Sequence, residues 1–239
     1  MNAVTKVFSK RIDRLRYFYF AQMGVNEVTI DGLKFKLDRD LFGEKIFKML
    51  CTGKYERHES EIVRTTIEHD DRVLDLGGGI GVLALTAAKR VKAGAVTTVE
   101  ANPILVPLIK ENAVRNGLLL NVIHGAVSDK TGTETLYLAN DYWRSTALDS
   151  GLSNKIEVPA VNFLELVERT HPTYLVADIE GLEVRLLKML SKAHIKKICV
   201  EIHPKLTGMQ AIADMVATLR ENGFVVDEAR SSKQVLYLC

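Results

Sequence analysis

From residue 72 onward, short continuous apolar runs alternate with longer segments whose apolar positions recur every three or four residues. The runs predict strands over 72–76, 95–100, 120–124, 173–178, 196–203, 223–228 and 234–238. The longer segments predict helices over 80–91, 103–116, 162–169, 182–193 and 207–222. Two strand-like pieces, 133–138 and 155–161, fall between the third and fourth main strands. A run such as Tyr174-Leu175-Val176-Ala177 shows no polar alternation, as expected of a strand covered on both faces by helices. The pattern predicts an α/β fold: a doubly wound, Rossmann-like sheet, mostly parallel, with an antiparallel C-terminal pair.

The first fifty residues read differently. Val4, Phe8, Ile12, Leu15 and Tyr19 make a helical stripe over residues 4–20. Val28 and Ile30, then Asp31-Gly32, then Phe35 and Leu37 predict a small hairpin over 27–37. Helices are expected near 41–51 and over 59–68, separated by a polar stretch. Residues 1–52 are therefore taken as a helix-and-hairpin extension, and 53–239 as the main domain.

With 239 residues, 47% hydrophobic and 26% charged, the chain can bury a sizeable core. Its net charge is +2, so no global field points to nucleic acid. Lys6, Lys10, Arg11, Arg14 and Arg16 against Asp13 give residues 1–20 a net +4, which leaves −2 for the rest. The basic character is thus an N-terminal feature. It fits a helix packed on the domain, a dimer contact, or a surface for a membrane or partner. No apolar stretch is long enough to span a bilayer. Three widely spaced cysteines, Cys51, Cys199 and Cys239, show no metal or disulfide spacing, and a cytoplasmic location is expected.

Chemistry concentrates where strands end. Val73-Leu74-Asp75-Leu76 is followed by Gly77-Gly78-Gly79-Ile80-Gly81 and a helix. Such turns lie at the carboxyl ends of parallel strands, where ligands bind. Glu100 closes the next strand, where an acid can accept bonds from ribose hydroxyls. A bare turn would not need four glycines. A nicotinamide site is weakened because the strict G-x-G-x-x-G register ends on Val82, although Gly79, Gly81 and Ala84 fit the looser form. The third reading is a methyltransferase turn, an acid then x-Gly-x-Gly-x-Gly, carried by Asp75, Gly77, Gly79 and Gly81. S-adenosylmethionine has a cationic ammonium and sulfonium and no phosphate, so a carboxylate there suits it and would repel a pyrophosphate. Ala126 and Val127, after the third strand, are small enough to border an adenine ring.

Two further strand tips are acidic: Asp178-Ile179-Glu180-Gly181 and Glu201-Ile202-His203-Pro204. Asp178 could simply cap a helix. Glu201 and His203 end a very apolar strand, where charged groups need partners. Asp178, Glu180, Glu201 and His203 are the candidate catalytic cluster. A carboxylate or His203 could serve as general base, or Asp178, Glu201 and His203 could hold a divalent ion. Residue types alone fit both, and a metal-free site is the working expectation.

Taken together, these motifs resemble the FkbM family of S-adenosylmethionine-dependent methyltransferases. The likeness runs from Gly53-Lys54-Tyr55-Glu56 and Glu59, through Val73–Gly81, Glu100-Ala101-Asn102-Pro103 and Ala126-Val127-Ser128-Asp129, to Asp178–Gly181 and Glu201–Pro204. It implies a class I methyltransferase fold and O-methylation of a hydroxyl on a sugar, glycan or secondary metabolite. It also implies that Tyr55 and Glu59 face or cap the cofactor, alongside Asp75, Gly77, Gly78, Gly79, Gly81, Glu100, Ala101, Asn102, Ala126, Val127 and Asp178. Gly78-Gly79 stands where the family more often has Ala-Asn. The competing expectations are an RNA methyltransferase, supported only by the basic N-terminus, and a non-catalytic cofactor-binding protein on the same fold. A nucleic-acid partner is not expected.

Overall fold

The computed structural model describes residues 3–138, 145–146, 154–193 and 195–239, with the side chains of 3–10, 138, 145–146 and 154 outside the description. Val4 and Phe8 of the N-terminal stripe, and Lys6 and Lys10 of its basic set, fall among those side chains.

The chain opens with helix α1 (Ala3–Gln22), a hairpin of β1 (Glu27–Ile30) and β2 (Leu33–Lys36), then α2 (Arg39–Cys51) and α3 (Arg57–Thr66). The alternating half follows. It runs β3 (Val73–Leu76), α4 (Val82–Ala88), β4 (Val96–Glu100), α5 (Leu105–Arg115) and β5 (Asn121–His124). Next come β6 (Ala126–Ser128), β7 (Gly132–Leu138), β8 (Ser145–Thr146), β9 (Asn154–Asn162) and α6 (Phe163–Thr170). The chain ends with β10 (Tyr174–Ala177), α7 (Glu183–Leu186), β11 (Lys197–Glu201), α8 (Pro204–Thr207), α9 (Met209–Glu221) and β12 (Val235–Leu238).

Six strands form the central sheet in the order β12-β11-β10-β3-β4-β5. All neighbours are parallel except β11 and β12, which run antiparallel. Successive residues of a buried strand face opposite sides of the sheet, and the core divides accordingly. Val73, Tyr174, Val176 and Cys199 join one apolar cluster with residues of α2, α3 and α4. Leu74, Leu76, Leu175, Ala177 and Ile198 join the other with residues of α6 and α9. This double burial explains the unbroken apolar runs in the sequence.

The hairpin and α2 contribute Val28, Phe35, Phe42 and Leu50 to the first cluster. The core therefore runs across the sequence division at residue 52. The pieces read at 133–138 and 155–161 are β7 and β9, which pair antiparallel in a separate four-stranded sheet with β6 and β8.

Two predicted elements differ. The strand expected over 223–228 reduces to a single bridge between Val226 and Leu238. Asp227 caps a local turn instead, accepting from the backbone N–H groups of Ala229 and Arg230. The helix expected over 182–193 stops after one turn, tightens into a 3-10 turn at Leu187–Met189 and ends at extended Leu190. Its first residue, Glu183, is drawn into hydrogen bonds with other segments.

Candidate active site

The carboxyl ends of β3, β4, β10 and β11 open onto a cavity of about 810 Å3, within the range of small-molecule and cofactor sites. Of the residues singled out in the sequence, Tyr55, Glu59, Gly77, Gly79, Glu100, Ala101, Ala126, Val127, Asp178, Glu180, Glu201 and His203 line it. Asp75, Gly78, Gly81 and Asn102 sit behind the lining. Asp75 is buried and accepts the Thr98 hydroxyl at 2.7 Å. Asn102 accepts the Ile104 N–H at 3.0 Å in the turn ahead of α5. Gly81 begins α4 at φ +91°.

The glycine turn is shaped by close approach. Gly77 has φ +86°, and a Cβ there would lie 1.9 Å from the Asp178 carbonyl oxygen. A Cβ on Gly78 would lie 2.3 Å from Thr98 Oγ1. Only glycine lets β3 turn this tightly between its neighbours. Above the turn, a Cβ on Gly79 would stand 3.2 Å from the Tyr55 hydroxyl. Tyr55 and Glu56 thus close over the glycines from the segment joining α2 and α3.

Glu100 ties the turn to β4. One of its oxygens accepts the Gly79 N–H at 2.7 Å and the other accepts the Asn102 N–H at 2.7 Å. Burial raises its pKa to about 7, with those N–H donors opposing the rise. Burial also raises Asp75 to about 6, against the Thr98 hydrogen bond. Glu56 sits at φ +47° ahead of α3, and burial together with Asp178 and Glu59 holds its carboxyl well above the ordinary range.

At the other end of the cavity, His203 is ringed by acids. Its Nε2 is 3.5 Å from Asp178 Oδ1 and 3.5 Å from Glu180 Oε2, and its Nδ1 is 3.3 Å from Glu183 Oε1. Burial alone would lower the His203 pKa. The Glu183 hydrogen bond and the surrounding carboxylates outweigh it and raise the pKa to about 9. The sequence left His203 open as a general base. The raised pKa favours its cationic form, which offsets the acids around it. Asp178 is raised well above the ordinary carboxylate range by burial and by Glu201, with His203 opposing. Among the described residues, its Oδ1 is one of two buried side-chain atoms without a hydrogen-bond partner. Asp178, Glu201 and His203 also offer one ligand atom each within 4.8 Å of one another, a spacing a cation could use.

Glu183 escaped the sequence reading. It is fully buried, accepting the Gly181 N–H at 2.7 Å and the His203 backbone N–H at 3.1 Å. The available signal was an acid two residues past Gly181, ahead of a helix whose other residues are mostly apolar.

The sheet order, the glycine turn and the acid closing β4 define the class I methyltransferase fold, a class whose methyl donor is S-adenosylmethionine. Residues 59–138 match the methyltransferase small domain family. None of the curated proteins matches the chain by sequence. Among solved structures, tRNA (uracil-54, C5)-methyltransferase of Pyrococcus abyssi, in complex with S-adenosyl-L-homocysteine, superposes with TM-score 0.52 at 14% identity, over 90% of this chain and 44% of that one. This chain thus spans less than half the length of that protein. TYW2 of M. jannaschii, in complex with AdoMet, aligns with TM-score 0.49 at 14% identity, over 89% of this chain and 83% of that one.

The residues present fit the donor of that class. Seven acidic side chains line the cavity, from Glu56, Glu59, Glu61, Glu100, Asp178, Glu180 and Glu201, against Lys45, Lys54, Arg57 and His203, and the raised pKa values of Glu56, Glu100 and Asp178 are ones a bound cation would lower. That balance suits a cationic ligand and opposes a pyrophosphate.

Proposed function

We propose that this chain transfers a methyl group from S-adenosylmethionine to a hydroxyl oxygen of a sugar, glycan or secondary metabolite. The carrying observation is the Asp178–His203 pair, which lies at the end of the acidic cavity whose other side is the glycine turn. The resemblance of Asp178–Gly181 and Glu201–Pro204 to the FkbM family supports the same reading.

When bound, the cofactor supplies a methyl group on a cationic sulfur that departs as a neutral thioether. Glu100 accepts the ribose hydroxyls, and Asp75 contributes negative charge from behind the turn. Tyr55 and Glu59 close the cofactor side and limit water. Asp178, with its buried Oδ1 and raised pKa, takes the proton that the acceptor hydroxyl loses as its oxygen bonds to the methyl carbon. The His203 imidazolium holds Asp178 in place and offsets Glu180 and Glu201. Glu183 in turn orients His203. In this reading the carboxylate takes the proton without a metal ion lowering the hydroxyl pKa. A cytoplasmic location is proposed with it, since Cys51, Cys199 and Cys239 are all unpaired.

An RNA acceptor has less support. The lining is acidic on balance, and a phosphate backbone would be repelled there. The P. abyssi protein named for a tRNA substrate shares only the fold.

Calorimetric titration with S-adenosylmethionine and S-adenosylhomocysteine tests the cofactor. Absence of binding by folded protein ends the proposal. Transfer of labelled methyl to a panel of polyhydroxylated acceptors tests the reaction. Asp178→Asn should abolish turnover while leaving cofactor affinity within about threefold. Full activity in that variant, or label appearing only in RNA, would refute the assignment.

A further inference from the structure

We propose that α1 is a docking element that seats the protein on an anionic membrane surface. The proposal does not depend on the catalytic reading.

Helix α1 has two apolar faces. One is satisfied internally: Tyr17, Phe20 and Ala21 pack against the core, and Tyr17 meets Phe47 edge-on at 6.3 Å. Tyr17 also hydrogen-bonds Glu44, and Asp13 pairs with Lys54. These contacts fix which side of the helix faces the domain.

The other face is unpartnered. Ile12, Leu15, Phe18 and Tyr19 fall on one arc of the helix and are 55–71% exposed. Met23, just past the helix end, is 65% exposed. A helix that serves only to cover the domain would turn polar residues outward here. Contiguous exposed apolar surface of this kind marks an interaction site.

Charge selects the occupant. Arg14 borders the stripe on one side and Arg16 on the other, with Arg11 within it, and all three are exposed. Asp13, the one acid of the first 20 residues, is already paired with Lys54. A second copy of the helix would bring the same three arginines against its own. An anionic lipid surface accepts the arginines at its headgroups and the apolar side chains just beneath them, with Phe18 and Tyr19 at the boundary. Among the described residues no helix is long and apolar enough to cross a membrane, so the contact is with the surface.

The helix also stands beside the cavity. Lys54, which holds Asp13, lines it, as do Lys45, Ile46 and Met49 of α2. A surface seated on α1 would be close to the cavity entrance.

The test is sedimentation of the full chain with vesicles of phosphatidylcholine alone and of phosphatidylcholine mixed with phosphatidylglycerol. Binding is expected to the mixed vesicles only, and to weaken with added salt. Leu15→Ser with Phe18→Ser, and separately Arg11→Glu with Arg14→Glu, should each lower affinity at least about tenfold. All four residues are exposed, so circular dichroism should show unchanged folding. No binding to the mixed vesicles, or binding that both variants retain, overturns the proposal. So does a dimer in analytical ultracentrifugation that Leu15→Ser with Phe18→Ser dissociates, because the stripe would then serve a second copy.

Discussion

Glu183 Oε1 lies 3.3 Å from His203 Nδ1 and accepts the backbone N–H of the same residue at 3.1 Å. The acid thereby fixes both the main chain and the ring of His203, while its second oxygen holds Gly181 beside Asp178 and Glu180. Replacement by glutamine removes the charge and keeps the size. In Glu183→Gln the His203 pKa should fall from about 9. Turnover should fall about tenfold or more with cofactor affinity little changed. Ring-proton NMR titration gives the pKa, and kcat against cofactor Kd separates a positioning role from a structural one. Equal loss of both would favour simple disruption of the fold.

The buried carboxyl of Asp75 gives the chain a definite pH response. Its folded pKa is about 6, against 3.8 for an ordinary aspartate. The folded chain therefore holds this proton more tightly than the unfolded chain. The resulting stabilisation is complete below about pH 4 and is lost as pH rises through about 6. Asp75→Asn removes that loss, and the Thr98 hydroxyl can accept from the new amide. The variant should be more stable by up to about 3 kcal/mol above pH 7, with the gap closing towards pH 4. Thermal unfolding followed across this range measures it. A gap independent of pH would contradict the assignment.

Gly77→Ala should be far more damaging than its one added carbon suggests. The new Cβ would meet the Asp178 carbonyl at 1.9 Å, and φ is +86°. A cost of at least about 2 kcal/mol is expected, with loss of both cofactor binding and turnover. Chemical denaturation and calorimetry report the two effects. Gly94→Ala, at φ +78° with nothing within 4 Å of the added carbon, is the control for backbone strain alone.

Asp178, Glu201 and His203 stand close enough to share a cation, whereas the proposed reaction passes the proton to Asp178 without one. Turnover should therefore survive a strong chelator with less than about a twofold change. Inactivation that a divalent ion reverses would assign the three side chains to metal binding.

The sequence made the sheet legible because its inner strands β3, β4, β10 and β11 are buried along most of their length and so read as largely apolar runs, whereas the edge strand β5 is only partly buried. The hairpin around Asp31-Gly32 was legible for the opposite reason, its strict alternation of buried and exposed positions. The cavity lining was readable wherever it followed a strand end, as at Gly77, Glu100, Asp178 and Glu201. Glu183 was not, because its partner is twenty residues away and no periodic pattern encodes that contact. Glu56 stood in the resembling motif without a role of its own, since its left-handed backbone position before α3 has no signature in the sequence. The bridge at Val226 shows the converse. Val225 and Val226 suit a strand, but Asp227 and its turn end the pairing after one bridge.

The contact between Gly77 and Asp178 carries a consequence for redesign. The glycine turn and Asp178, the proposed proton acceptor, share one wall, with the Gly77 backbone directly against the Asp178 carbonyl. Enlarging the cavity there would displace the acid along with the cofactor. Acceptor scope and reaction rate cannot be adjusted independently from that side. They can be separated from the remaining wall, where Lys45 and Met49 of α2 and Glu61 line the space, provided Tyr55 and Glu56, which close over the turn, are left in place.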